Sequence, residues 1–266
     1  MVKIILSDID GTFLKKDKTV PKLHEKALKE ILEQGIKFAF VSARMPEAIY
    51  PITDGINLPY TAVISYSGAM VLTADEKILY DKKMPLEDTK NILAAMERWK
   101  DISINYYTGR KWYVRQNDER IQHEMDITQA TAEIAELEKL VDEEILPNKI
   151  MIICEPPTCE EMETELGKQF PNLNVVRSAP YLLEIIDKSV SKATGIEVLL
   201  KHYNFSVDEA IAFGDNYNDT EMLQYIPQSV VMGNAPAAVQ KLAKHITDTS
   251  EDAGIYTYLK KIGLVQ

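Results

Sequence analysis

Apolar residues come in short unbroken runs, separated by stretches with helical spacing. Ile4-Ile5-Leu6, Lys37-Phe38-Ala39-Phe40-Val41 and Thr61-Ala62-Val63-Ile64-Ser65 are runs of the strand type. Between the first two, Leu23, Ala27, Leu28, Ile31 and Leu32 recur on one helical face, with Pro21 before them and Gly35 after. Pro46 opens another helix. Continuous apolar strands alternating with helices predict a parallel sheet covered on both faces. Beyond Gly68, Met70-Val71-Leu72 and Ile78-Leu79-Tyr80 around Ala74-Asp75-Glu76 predict a hairpin.

The pattern changes at Met84-Pro85. The spacing predicts a helix over Glu87–Trp99, strands near Ile102–Tyr107 and Trp112–Arg115, and helical stretches before Pro147. A strand at Lys149–Cys154, a helix at Cys159–Phe170 and strands at Asn174–Arg177 and Tyr181–Ile186 follow. The parallel-sheet alternation then resumes: helix Lys192–Tyr203, strand Glu209–Phe213, a helix after Asn218, strand Ser229–Met232, and helices from Pro236 and Glu251. The expected fold is α/β. Residues 1–83 and 187–266 form a doubly wound, mostly parallel, Rossmann-like core, and 84–186 form an inserted α+β domain of ordinary size. No internal repeat or low-complexity segment interrupts this pattern.

Open α/β sheets bind ligands beyond the carboxyl ends of their strands. The first strand ends in Asp8 and Asp10, with Gly11 after them, and the second in Ser42-Ala43-Arg44. The Glu209–Phe213 strand ends in Gly214-Asp215-Asn216-Tyr217-Asn218-Asp219, and Lys192 stands at the start of the preceding helix. Each piece has a plainer reading. Asp-Gly is a common turn, Ser42 can cap, and Asn218 with Glu221 matches a capping box. A lysine in a helix's first turn opposes the dipole, however, unless an anion lies beside it. Several carboxylates at one edge need a proton or a cation. A donor set of oxygen alone, without thiolate or imidazole, favours a hard ion such as Mg²⁺, which commonly bridges to phosphate.

Composition narrows the partners. The 266 residues are 45% hydrophobic and carry a net charge of −11, so a phosphate backbone of nucleic acid is not an expected ligand. No apolar run approaches the length of a membrane span, and Asp8 and Asp10 break the N-terminal apolar stretch too early for a signal peptide. Cys154 and Cys159 lack neighbouring histidines and are expected as reduced thiols of a cytoplasmic protein. The oligomeric state is not readable from the chain.

Asp8-Ile9-Asp10-Gly11-Thr12 resembles the first motif (DxDGT) of the haloacid dehalogenase superfamily of phosphohydrolases. Ser42 resembles its second motif, Lys192 its third, and Gly214-Asp215-Asn216-Tyr217-Asn218-Asp219 its GDxxND motif. Asp219-Thr220-Glu221-Met222-Leu223 and Met232-Gly233-Asn234-Ala235 resemble the Cof-type branch, mostly phosphatases of sugar phosphates and related small molecules. Departures are Ser42-Ala43-Arg44 for Thr-Gly-Arg, Lys192-Ala193 for Lys-Gly, and Ser67-Gly68-Ala69 for Asn-Gly-Ala.

The resemblance implies hydrolysis of a small-molecule phosphate monoester. Asp8 would be the nucleophile and Asp10 the general acid and base. Gly11, Ser42, Ala43 and Lys192 would bind the phosphoryl group. Asp8, the Asp10 carbonyl and Asp215 would hold Mg²⁺, with Asn218 and Asp219 behind them. The insert would be a cap that closes over the site and selects the leaving group. Arg44, Tyr113, Arg115, Glu184 and Asn216 are the candidate specificity residues. Glu184 stands inside an apolar run, where it could bond substrate hydroxyls or pair with a cap arginine. A phosphomutase using Arg110, Arg115 or Arg177 for a second phosphate, and a catalytically silent binding protein, remain as alternatives.

Overall fold

The computed structural model describes residues 1–56 and 61–266. The chain runs through Ile4–Ser7 (β1), Lys22–Glu33 (α1), Lys37–Val41 (β2), Tyr50–Gly55 (α2), Ala62–Ser65 (β3), Met70–Leu72 (β4) and Ile78–Asp81 (β5). Next come Leu86–Met96 (α3), Ser103–Thr108 (β6), Lys111–Val114 (β7), Glu119–Thr128 (α4), Glu133–Ile134 (β8), Leu137–Asp142 (α5), Lys149–Ile153 (β9), Pro156–Gln169 (α6), Leu173–Ala179 (β10) and Leu182–Asp187 (β11). The last part is Lys192–Tyr203 (α7), Ala210–Gly214 (β12), Thr220–Tyr225 (α8), Gln228–Val231 (β13), Ala237–Gln240 (α9), His245–Ile246 (β14) and Gly254–Lys261 (α10). The chain packs as two units. One is Met1–Arg44, Ile49–Tyr80 and Ser191–Gln266; the other is Asp81–Val190 together with Met45–Ala48. Among the described residues no helix is long and apolar enough to cross a membrane.

The first unit is built on an eight-stranded sheet in the order β14-β13-β12-β1-β2-β3-β4-β5. The pairs from β14 to β3 are parallel, and β4 returns antiparallel to β3. Every residue of β1, β3 and β12 is buried, which is why their sequences read as unbroken apolar runs. One face packs Ile4, Leu6, Val41 and Ile64 against Ile196, Leu199 and Leu200 of α7 and Met222 of α8. Phe38 and Phe40 of β2 meet Phe13 in edge-on and tilted ring contacts.

His24 of α1 completes this aromatic cluster and is buried. Its Nε2 accepts the Ile255 N–H at 3.2 Å, so the proton sits on Nδ1, which donates to the Phe13 carbonyl at 3.0 Å. Burial pushes its pKa from 6.5 down to about 4. The unfolded chain therefore binds more protons between these values. The stabilisation is complete above pH 6.5 and fades as pH falls towards 4, by on the order of 3 kcal/mol. Melting temperatures across this window should fall with pH in the wild type and fall less in His24→Phe; equal slopes would refute the assignment.

The second unit has a six-stranded sheet in the order β10-β11-β9-β6-β7-β8. Ile104, Tyr106, Ile150, Ile152, Leu183 and Ile185 turn one face towards α3, α5 and α6. Two expectations are corrected here. α6 begins at Pro156, with proline in its first turn, rather than at Cys159. One helical turn therefore returns Cys159 over the end of β9, where it forms a disulfide with Cys154 (Cα–Cα 5.9 Å); the cysteines are not free thiols. The short strands β8 and β14, two residues each, were not foreseen.

Candidate active site

β1 lies between β2 and β12, where the strand order reverses, so three carboxyl ends open on one edge of the sheet. The ends are in step, because Ser7 pairs with both Phe40 and Phe213. Asp8, one residue on, donates its N–H to the Phe213 carbonyl at 3.0 Å. Ser42 follows β2, donates its N–H to the Ile64 carbonyl at 2.8 Å, and is followed by Ala43. Asp215 follows β12.

Lys192 is the first residue of α7, after Ser191, whose hydroxyl accepts the Thr194 N–H. Its side chain is fully buried, and its ammonium donates to Asp8 Oδ1 and to Asp219 Oδ1, each at 2.5 Å. These carboxylates are the anions that a lysine in a first helical turn requires. Asp219 Oδ2 accepts the backbone N–H groups of Asp215 (2.8 Å) and Asn216 (3.0 Å). Asp215 takes the Thr12 hydroxyl on Oδ1 at 2.8 Å and the Asn234 amide on Oδ2 at 3.2 Å. Gly11 has φ +83°, and a Cβ there would stand 2.4 Å from Asp215 Oδ2. Glycine is needed for that approach as well as for the left-handed turn.

Among the described residues, Asp8, Asp215 and Asp219 bring carboxylate oxygens within 4.8 Å of one another. At such a separation each pair of charges repels by roughly 3.5 kcal/mol at an effective dielectric near 20. One ammonium cannot neutralise three carboxylates. Burial, with the charges of Asp219 and Asp215, therefore pushes the Asp8 carboxyl well up, against the pull of Lys192. Burial and Asp219 lift Asp215 to about 6. Burial would lower Lys192, but Asp219 and Asp8 outweigh it and hold the ammonium charged.

Asp10 is turned to a different set of partners. Arg44 grips it with Nε to Oδ2 at 2.8 Å and Nη2 to Oδ1 at 2.7 Å, and Lys18 Nζ reaches Oδ1 at 2.7 Å. Burial opposes the charge, yet these two cations hold the carboxyl down at about 2. The Arg44 N–H also donates to Ser42 Oγ at 3.2 Å.

Not every candidate joins the cluster. Asn218 is exposed, and among the described residues no hydrogen bond links it to the carboxylates. The capping box of this turn is Asn216 with Asp219, not Asn218 with Glu221, and the Asn216 side chain accepts the Tyr217 N–H. Within the second unit, Tyr113 packs against the hydrophobic cluster. Arg115 is ion-paired to Glu97 (2.6 Å) and Glu138. Glu184 pairs with Lys149 at 3.4 Å rather than with an arginine. Thr12, Lys18 and Asn234 touch the site, and sequence reasoning missed their contacts. Thr12 and Asn234 stand inside the quoted motifs, so only Lys18 lacked any signal.

The chain matches the haloacid dehalogenase-like hydrolase family over residues 5–259 and belongs to it, in its Cof-type branch. It is 29% identical over 262 residues to a Haemophilus influenzae protein assigned as a phosphatase, covering 98% of each chain. A haloacid dehalogenase-like hydrolase from Bacteroides thetaiotaomicron superposes with a TM-score of 0.89 at 26% identity, covering 98% of this chain and 100% of that one. BT4131, a subclass IIB sugar phosphatase, shares the fold with a TM-score of 0.86 at 23% identity, covering 99% of this chain and 100% of that one. The chain is thus a phosphatase of this family, with a Rossmann-like core and a cap.

Proposed function

We propose that the protein is a Mg²⁺-dependent phosphatase of small-molecule phosphate monoesters, sugar phosphates foremost, working through a phospho-aspartyl intermediate on Asp8. The observation that carries this reading is the fully buried Lys192 ammonium, held between Asp8 and Asp219 at the edge where Ser42 and Asp215 also emerge. The sugar-phosphatase activity named for BT4131 supports the substrate class.

Asp8 attacks phosphorus, and the bond from phosphorus to the ester oxygen breaks. As a carboxylate, the form that Lys192 beside it favours and that a bound cation would favour further, Asp8 needs no activating base for this step. Asp10 gives a proton to the departing alkoxide, then takes one from the water that cleaves the acyl phosphate and frees Asp8. In the resting arrangement Asp10 is an ionised acceptor, so its proton role follows release from Arg44, for which an arriving phosphate is a competing anion. Ser42 Oγ accepts from Arg44, which leaves its hydroxyl proton for a phosphoryl oxygen, beside the Ala43 N–H. Lys192 offsets phosphoryl charge, and Gly11 keeps the approach open.

The residues fit a hard divalent cation, since the donor set is all oxygen and holds two more carboxylates than ammonium groups. Asp8, Asp215 and the Asp10 carbonyl would hold it. Asp219 has both oxygens engaged and serves better as a support. The ion would offset the like charges of Asp8 and the phosphate. The second unit is assigned to leaving-group selection. A mutase would need a free phosphate-binding arginine there, whereas Arg110, Arg115 and Arg177 are each paired with glutamates.

A phosphate-release screen over sugar phosphates, nucleotides, flavin mononucleotide and pyridoxal phosphate tests the substrate class. EDTA is expected to abolish release and added Mg²⁺ to restore it. Turnover persisting in metal-free buffer would refute the cation assignment, and isomerised sugar phosphate in place of free phosphate would favour the mutase.

A further inference from the structure

We infer that Asn234 is a positioning residue for the cation site, tying together the two strand ends that supply its ligands. The inference rests on the Mg²⁺ reading above. Asn234 lies in the turn after β13, at Met232-Gly233-Asn234-Ala235. That turn is pressed against the segment 247–249: the Gly233 N–H donates to the Asp248 carbonyl at 3.1 Å, and a Cβ on Gly233 would stand 2.9 Å from the Thr247 oxygen. The backbone under Asn234 is therefore fixed.

Its side chain bridges three segments. Oδ1 accepts the Ser250 N–H at 3.0 Å, while Nδ2 donates to the Gly11 carbonyl at 2.9 Å and to Asp215 Oδ2 at 3.2 Å. The amide can face only one way, because the Ser250 N–H can only donate and the Gly11 carbonyl can only accept. Gly11 directly follows Asp10, whose carbonyl is one proposed ligand, and Asp215 is another. One amide nitrogen thus spans the ends of β1 and β12. Thr12 holds the other Asp215 oxygen at 2.8 Å. With a neutral donor on each oxygen, the carboxylate cannot rotate away, and each oxygen keeps a lone pair for a cation. Asn234 is exposed, so replacing it removes the bridge without opening the core.

Partners that orient metal ligands typically contribute 10- to 100-fold in metal affinity. The test is calorimetric titration of Mg²⁺ into the full-length, metal-free protein, for wild type, Asn234→Ala and Asn234→Asp, with melting curves alongside. Asn234→Ala should weaken Mg²⁺ binding by about 10- to 100-fold with little change in melting temperature. Asn234→Asp keeps the acceptor for Ser250 but sets an anionic oxygen against Gly11 and Asp215, and should weaken binding at least as much. Added negative charge acting merely by proximity would tighten binding instead. Unchanged or tighter affinity in either variant overturns the inference, as does a weakened affinity explained by partial unfolding. A wild type that binds no Mg²⁺ overturns the cation reading itself, a result distinct from variants that match a binding wild type.

Discussion

Asp8→Asn is expected to lower phosphate release by on the order of 10⁴-fold or more, and to leave a folded protein that melts slightly higher. Asparagine matches the carboxylate in size and still offers an oxygen to Lys192, but it is no nucleophile. The stability gain comes from the resting electrostatics. Asp8 is buried, and burial with the charges of Asp219 and Asp215 disfavours its ionised form. Removing one of three crowded carboxylates relieves that repulsion, while Lys192 keeps Asp219 at 2.5 Å. A net relief of about 1 kcal/mol would raise the melting temperature by roughly 2–4 °C in a chain of this size. Release assays with melting curves decide the matter. Near-wild-type turnover in the folded variant would remove Asp8 as the nucleophile. A lowered melting temperature would show that its ion pair outweighs the crowding.

The strand ends were legible because a covered parallel sheet writes its strands as apolar runs, and the first one or two residues after each run come out at the sheet edge. Asp8, Ser42 and Asp215 follow from that alone, given strands in step. Lys192 was legible from its conflict with the helix dipole. What could not be read is side-chain pairing between segments distant in the chain. Asn234 meets Gly11 across 223 residues, and nothing local in either turn announces it. Lys18 reaches Asp10 because it sits in the left-handed region, φ 66°, in a turn where Asp17 accepts from Thr19. The disulfide was missed because it depends on α6 starting at Pro156, three residues earlier than the apolar periodicity suggested. The roles of Arg115 and Glu184 were open because the same side chain can serve a ligand or an ion pair. Only the packing of Arg115 beside the end of α3 and α5, and of β11 beside β9, shows that both already have partners.

Lys192→Met should be the most destabilising single change in the site. Lys192 is the shared cation of Asp8 and Asp219, and all three groups are buried. Removing one member of a buried ionic set leaves uncompensated charge at a cost of about 3–5 kcal/mol. In a chain of this length that lowers the melting temperature by roughly 10 °C. The deficit should depend on pH in a defined direction. With Lys192 absent, the carboxylates whose pKa values are already raised rise further. Between their ordinary value, 3.8, and the raised folded value, the folded state then binds more protons than the unfolded state. Stability is retained at the acid end of that window and lost as pH climbs through it. The gap from wild type should therefore be wider at pH 8 than at pH 5, as melting curves at both values would show. Turnover should fall by on the order of 10²-fold or more even where the variant is folded, because the proposed reaction would then lack its preorganised positive charge beside the phosphoryl group. An equal gap at both pH values would mean that Lys192 acts by packing its stem rather than by its charge.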